Sequence, residues 1–223
     1  MEEQNAKKKI KVIKDGDVSP TVIRRLPRYY RYLCELIARG KTRISSGELA
    51  NMMHVTASQI RQDLNCFGGF GQQGYGYNIE MLIAEIGQIL GLTKPTKAIM
   101  LGVGKLGVVV AENMNFERYG FSLVGAFDID DEIVGRYVAG ITVQHLSELE
   151  AFCKEIRPAA AFMCVPSSAA PELAEKLIEL GVTGFWNFSH YDIGIKHPEV
   201  SVENVHFGDT LMRLSYKIKN QDK

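Results

Sequence analysis

Nowhere in the 223 residues does an apolar run reach the roughly 20 residues a membrane-spanning helix requires, so no membrane partner is expected. The lysines of the opening MEEQNAKKKIKVIKDGD have no apolar core behind them. No signal peptide is expected there, and residues 1–18 read as a flexible basic tail. Only four cysteines are present, Cys34, Cys66, Cys153 and Cys164, and no two have CxxC or zinc-finger spacing. This argues against a disulfide framework or a metal site, and four buried thiols in a reducing cytoplasm are expected. No Tyr-xxx-Lys pair of the short-chain-reductase kind occurs. His145, His190, His197 and His206 are each possible acid/base groups, but none lies in a recognisable motif, so no catalytic residue is assigned and the chain does not read as an enzyme.

Net charge is also missing, but its absence hides an asymmetry. Residues 1–75 hold 13 Lys and Arg against 7 Asp and Glu, and the remainder holds 13 against 19. A basic front half suits a polyanionic partner. Five of those bases fall in residues 7–14, so charge alone would also describe a solvated tail.

The strongest motif runs from Ala98 to Asp128: strand AIML, glycine turn GVGKLG, helix VVVAENMNFERYG, strand FSLVGAFD and its terminal acid. In a dinucleotide-binding βαβ unit the first glycine makes the turn, the second lets a pyrophosphate approach the backbone, and the third packs helix on strand. The helix start supplies N–H groups for phosphate. Gly102, Val103, Gly104, Lys105, Leu106 and Gly107 are therefore candidate cofactor residues, with Asp128 on the ribose hydroxyls. Further strands are read at ITV, 159–167 and 184–188, with helices at SELEAFCKE and 171–180. This alternation predicts a doubly wound parallel sheet of the Rossmann kind. Its carboxyl ends place Val165, Pro166, Ser167 and Asn187 along the nicotinamide pocket.

Ahead of this unit three helices are expected. The first spans 21–38, with Ser19 as N-cap and Pro20 at the first position. The second starts at Ser45 or Ser46, with a Ser45–Glu48 capping box. The third runs from Thr56 or Ala57 to about Phe67. The last two make a helix-turn-helix. Ile60 and Leu64 face the core, and Ser58, Gln59, Arg61 and Gln62 occupy the open face, where base edges are read. Residues 68–77, GGFGQQGYGY, read as a glycine-rich wing, with Phe70, Tyr75 and Tyr77 packing the hairpin and Gly71, Gln72, Gln73 and Gly74 at the DNA. A solvated helical bundle and a flexible linker are the blander readings of these two segments. A helix at 79–90 ends the domain. The expected division is a tail at 1–18, a winged-helix domain at 19–92, a Rossmann domain at 93–207 and an amphipathic C-terminal helix at 208–223.

Taken together, RRLPRYYRYL, ISSGELA, ASQIRQDLNCFGGFGQQGYGYN, GVGKLG, FDIDDEIVG, CVPSSAA, VSVENVHF and LMRLSY make the chain similar to the Rex family of redox-sensing transcriptional repressors. The resemblance implies a homodimer with its C-terminal helix swapped, NADH and NAD+ as sensed ligands, and release from pseudo-palindromic operator DNA when NADH binds. It also implies a switch in which a nicotinamide-side tyrosine, at the place of Asn113, communicates with a partner acid, at the place of His206, that pairs with Arg31. This chain keeps Arg31 and lacks the other two; Asp209 is the candidate substitute. An NAD-dependent oxidoreductase with an N-terminal interaction domain is the competing class, and a CoA-type nucleotide binder a third.

Overall fold

The computed structural model describes residues 19–66, 71–72 and 75–220. The tail at 1–18, the helix end at Phe67, the wing residues Phe70, Gln73 and Gly74, and the last three residues lie outside the described residues. The chain divides into two compact units, 1–93 and 94–223.

The N-terminal unit opens with α1 (Pro20–Ile23) and α2 (Leu26–Ala38), not with one helix from 21 to 38. The break follows from Pro27: it has no N–H to give the Ile23 carbonyl, and its ring crowds the preceding turn. Ser19 makes no side-chain cap. Next come β1 (Arg43–Ile44), α3 (Ser46–Met53), α4 (Ala57–Asn65), β2 (Gly71–Gln72), β3 (Gly76–Asn78) and α5 (Ile79–Ile89). Ser45 and Glu48 form the expected capping box, and Thr56 caps α4. Antiparallel strands in the order β1-β3-β2 carry the wing, whose β1 strand was not legible in the sequence. Tyr77 is buried in the core, but Tyr75 is 71% exposed, so the wing aromatics do not all pack. Leu26, Leu33, Ile44, Leu49, Ile60, Leu64, Ile79 and Leu82 meet in one core. Each contributes about 1.5–3 kcal/mol on burial.

The C-terminal unit alternates β4 (Thr96–Leu101), α6 (Lys105–Asn113), β5 (Phe121–Asp128), β6 (Tyr137–Val138), β7 (Ile141–His145), α7 (Leu149–Ile156), β8 (Ala160–Met163), α8 (Ala170–Glu179), β9 (Gly184–Asn187), α9 (Ile193–Lys196), β10 (Ser201–Asn204) and α10 (Phe207–Lys219). The sheet order is β10-β9-β8-β4-β5-β7-β6, parallel apart from the short β6 at the edge. The order reverses between β4 and β8, the point at which a doubly wound sheet opens a ligand crevice. Ile99, Leu101, Phe127 and Met163 pack one face of this sheet, and Met100, Ala126 and Phe162 the other. Two of the sequence-based boundaries that shift bear on the site. α6 stops at Asn113, and a 3-10 turn at Phe116–Tyr119 follows it. The sheet does not end at 188, because β10 adds a strand. Nor are all four thiols buried: Cys153 is, Cys34 and Cys164 are half-buried, and Cys66 is exposed because it follows the open face of α4.

Candidate functional sites

Two sites can be built from the residues upward, one in each unit. In the C-terminal unit the ends of the central strands are stitched by backbone bonds: Gly102 N–H to the Phe127 carbonyl at 2.9 Å, and Cys164 N–H to the Leu101 carbonyl at 2.8 Å. The glycine turn therefore sits between β5 and β8. Gly102 has φ +84°, and a Cβ there would lie 2.6 Å from the Cys164 carbonyl oxygen. A Cβ on Gly107 would lie 2.1 Å from the Gly102 carbonyl oxygen, so α6 packs onto its own turn only because neither residue has a side chain. Gly104 differs. Its φ is −68°, and a Cβ would meet no atom within 4 Å, so nothing in the chain itself requires glycine there.

Gly104 is the N-cap of α6 and offers no side chain to the first-turn N–H groups, which leaves a positive dipole end beside the turn. Lys105 and Leu106 are exposed at the same end, and Val103 is buried beneath it. The Asp128 carboxylate closes the turn from β5: Oδ2 accepts the Val103 N–H at 2.6 Å, and Oδ1 accepts those of Ile129 and Asp130 at 2.8 and 3.0 Å. Asp128 is thus placed by the turn it was expected to accompany. Ile129, 70% exposed beside that carboxylate, was not singled out in the sequence, where it follows the strand's terminal acid.

Val165, Pro166 and Ser167 follow β8 across the crevice, with Pro166 and Ser167 exposed. Asn187 ends β9 as expected, but its side chain is wholly buried and committed. Its Nδ2 donates to the Tyr191 carbonyl and to Asn204, and its Oδ1 accepts the Ser189 N–H and hydroxyl. Its amide therefore has no group to spare for a ligand. Burial pushes the Cys164 thiol up to about 12 and raises Cys153 as well, which makes both poor nucleophiles.

The expected switch residues are at described positions. Asn113 is exposed, with Nδ2 donating to the Val109 carbonyl. His206 precedes α10, stacks on His190 with centroids 5.4 Å apart, and stands 3.8 Å from the Asp209 carboxylate. The exposed Arg31 lies over the Tyr32 ring at 5.7 Å, in the other unit. Among the described residues no group of three or more His, Cys, Asp or Glu is disposed to hold a metal, and no helix is long and apolar enough to cross a membrane.

In the N-terminal unit α4 turns Ile60 and Leu64 into the core and leaves Ser58, Arg61 and Gln62 exposed, with Gln59 half-buried. Arg61 Nη1 donates to the Ser46 hydroxyl at 3.2 Å, across the helix-turn-helix. β2 sets Gly71 opposite Tyr77 and Gln72 opposite Gly76. The wing is pinned close to β1: a Cβ on Gly76, at φ +69°, would lie 2.7 Å from the Ile44 carbonyl oxygen. The sequence reading missed Asp63. It is 3% exposed on α4 and bonded to Arg25 and Tyr29, and its one signal was a carboxylate placed next to Leu64 in the apolar stripe.

Comparison with known proteins supports both halves. Residues 17–65 match the family described as "Putative DNA-binding protein N-terminus", and residues 93–191 the "CoA binding domain" family. The Redox-sensing transcriptional repressor Rex of Caldicellulosiruptor saccharolyticus is 48% identical over 210 residues, covering 94% of this chain and 95% of that protein. Its counterpart in Thermoanaerobacter pseudethanolicus is 44% identical, covering 94% and 93%. The crystal structure of RSP in complex with β-NAD+ and operator DNA superposes with a TM-score of 0.85 at 44% identity, over 92% of this chain and 94% of that one. The structure of RSP in complex with β-NADH gives 0.83 at 41% identity, over 92% and 96%.

Proposed function

The chain belongs to the Rex family of redox-sensing transcriptional repressors, and on that premise we propose how its residues divide the work. It is a DNA-binding repressor that senses NADH against NAD+ and leaves its operator when NADH binds; its relatives are named as repressors, not enzymes. The observation that carries this reading is an uncapped helix start joined to Asp128 across adjacent strand ends, in the same chain as a helix-turn-helix with a wing.

The residues present fit a dinucleotide. Gly104 is a glycine that the fold does not need, which is what a pyrophosphate pressed against the backbone would require. Gly102 to Gly107 would hold the pyrophosphate on the α6 N–H groups, Asp128 would accept the ribose hydroxyls, and the exposed Ile129 would cover the adenine side. Val165, Pro166 and Ser167 would line the nicotinamide end. When bound, the cofactor supplies a ring that is neutral in NADH and cationic in NAD+. A nicotinamide end lined by the half-buried, apolar Val165 would favour the neutral form. A ligand shifts the protein between states only by that differential affinity.

Ser58, Gln59, Arg61 and Gln62 would read base edges, with Gly71 to Gly74 on the backbone. Two copies would read a pseudo-palindrome. The α10 helix supports a homodimer: none of its residues is buried, and Leu211, Leu214 and Ile218 are 66%, 52% and 57% exposed on it. In the switch, His206 with Asp209 would replace the acid implied by the family, with Arg31 as partner. A cytoplasmic location follows from this role.

Trp186, on β9 against Phe162 and Phe188, would report the site. Titration of the full-length protein should quench it with NADH at concentrations at least about tenfold below those needed for NAD+, a gap of roughly 1.4 kcal/mol. Equal affinities would end the sensor reading and favour an oxidoreductase. Quenching by CoA alone would favour the CoA-type reading.

A further inference from the structure

The reading helix carries one buried charge, and everything bonded to it comes from a single place. At about 100° per residue, Asp63 stands roughly 60° round α4 from Ile60, on the side of Gln59. It forms the shoulder between the core face and the open face. Arg25 meets it with two bonds, Nε to Oδ2 at 2.7 Å and Nη2 to Oδ1 at 2.6 Å, and the buried Tyr29 hydroxyl donates to Oδ2. The hydrogen bond to Asp63 raises Arg25 further. Burial first, and then the Asp63 bond, push the Tyr29 phenol upward, so cation and hydroxyl persist at any working pH.

Arg25 occupies the α1–α2 break that Pro27 imposes. One turn along, Arg28 Nη2 donates to the carbonyl of Met53, the last residue of α3, at 2.7 Å. Both helices of the helix-turn-helix are therefore held by directional bonds from the first turn of α2. Apolar packing of Ile60 and Leu64 sets the depth of α4, but dispersion is non-directional and resists rotation weakly. A planar fork on a carboxylate fixes angle and height together. Relative to apolar residues of the same volume a buried ion pair adds little net stability, so stability alone does not account for a carboxylate here.

We propose that Arg25, Asp63 and Tyr29 form a positioning clamp that sets the rotation and height of α4, and with them the phase at which Ser58, Gln59, Arg61 and Gln62 meet base edges. The clamp rests on reading α4 as the DNA helix, and it acts through that helix without touching DNA.

The test uses the full-length protein. Wild type first selects a duplex from a randomised pool; that duplex and a scrambled one of equal length are the probes. Arg25→Lys keeps the charge and loses the fork. Tyr29→Phe keeps the ring in the core and removes only the hydroxyl. Arg25→Lys should bind the selected duplex at least about tenfold more weakly and the scrambled one within about twofold of wild type. Tyr29→Phe should lose about threefold on the selected duplex alone. Both should keep wild-type NADH quenching of Trp186. If Arg25→Lys does not fold, Tyr29→Phe carries the test. Three results overturn the clamp: equal loss on both duplexes, full discrimination with only a lowered Tm, or a salt slope reduced by about one charge, which is the mark of a direct phosphate contact. If wild type selects no duplex, the reading of α4 itself fails.

Discussion

In the N-terminal unit the helix-turn-helix is held by polar side-chain bonds: Arg25 and Tyr29 to Asp63 on α4, Arg28 to the Met53 carbonyl on α3, and Arg61 on α4 to Ser46 on α3. In the C-terminal unit the working turn is held by backbone against backbone. Gly102 lies on Cys164 and Gly107 on Gly102, with no room for a methyl group between them. The first arrangement can be retuned one side chain at a time, since each bond is one interaction among several. The second tolerates no side chain at Gly102 or Gly107. A repressor needs both. On the proposed function the glycine turn would present the same N–H groups to every ligand, whereas α4 would be rotated to suit a particular operator and released from it.

That contrast can be broken at defined positions. The largest effect is expected from Gly107→Ala. Its Cβ would be placed 2.1 Å from a backbone oxygen that cannot swing away, so the cost should exceed the roughly 1–3 kcal/mol typical of an overpacked core. Urea denaturation should show the loss, together with the disappearance of NADH quenching. Gly104→Ala sharpens the comparison within one turn. With nothing within 4 Å of the new methyl group, Tm should stay at the wild-type value, while NADH affinity falls at least about tenfold, or 1.4 kcal/mol. A Gly104→Ala protein that binds NADH normally would remove the pyrophosphate from this turn.

The smallest effect belongs to the exposed caps of the N-terminal unit. The Lys41 ammonium first, and then the Ser45 N–H and hydroxyl, hold the Glu48 carboxyl down at about 2. A depressed carboxylate contributes stability above its ordinary value near 4.5 and loses it as pH falls toward the folded value. Glu48→Gln should therefore destabilise by less than about 1 kcal/mol at pH 7. The difference from wild type should fade between pH 4.5 and 2, as followed by urea midpoints at each pH. A gap that persists at pH 2 would assign the effect to shape and not to charge.

The legible parts of this molecule were those written locally. Strand-turn-helix order located the turn from Gly102 to Gly107. The β5 strand ends at Asp128, the terminal acid expected of it, and Ser45 with Glu48 announced α3 three residues apart. What stayed hidden depends on distant partners. The short β1 is a strand only because β3 pairs with it, and β10 only because β9 does. Asn187 pointed toward a pocket by its position in the sheet, yet the turn to Tyr191 and the side chain of Asn204 claim its amide. Asp63 looked like one more polar residue on a polar helix until Arg25, 38 positions earlier, was seen to reach it. The helix break was legible in principle, since Pro27 alone predicts it.

The most direct test of the central claim holds the full-length protein on its selected duplex, follows DNA anisotropy, and adds NADH or NAD+ while Trp186 reports occupancy. The account predicts release by NADH at concentrations at least about tenfold below any effect of NAD+. DNA that stays bound when Trp186 quenching shows the site saturated with NADH would contradict it.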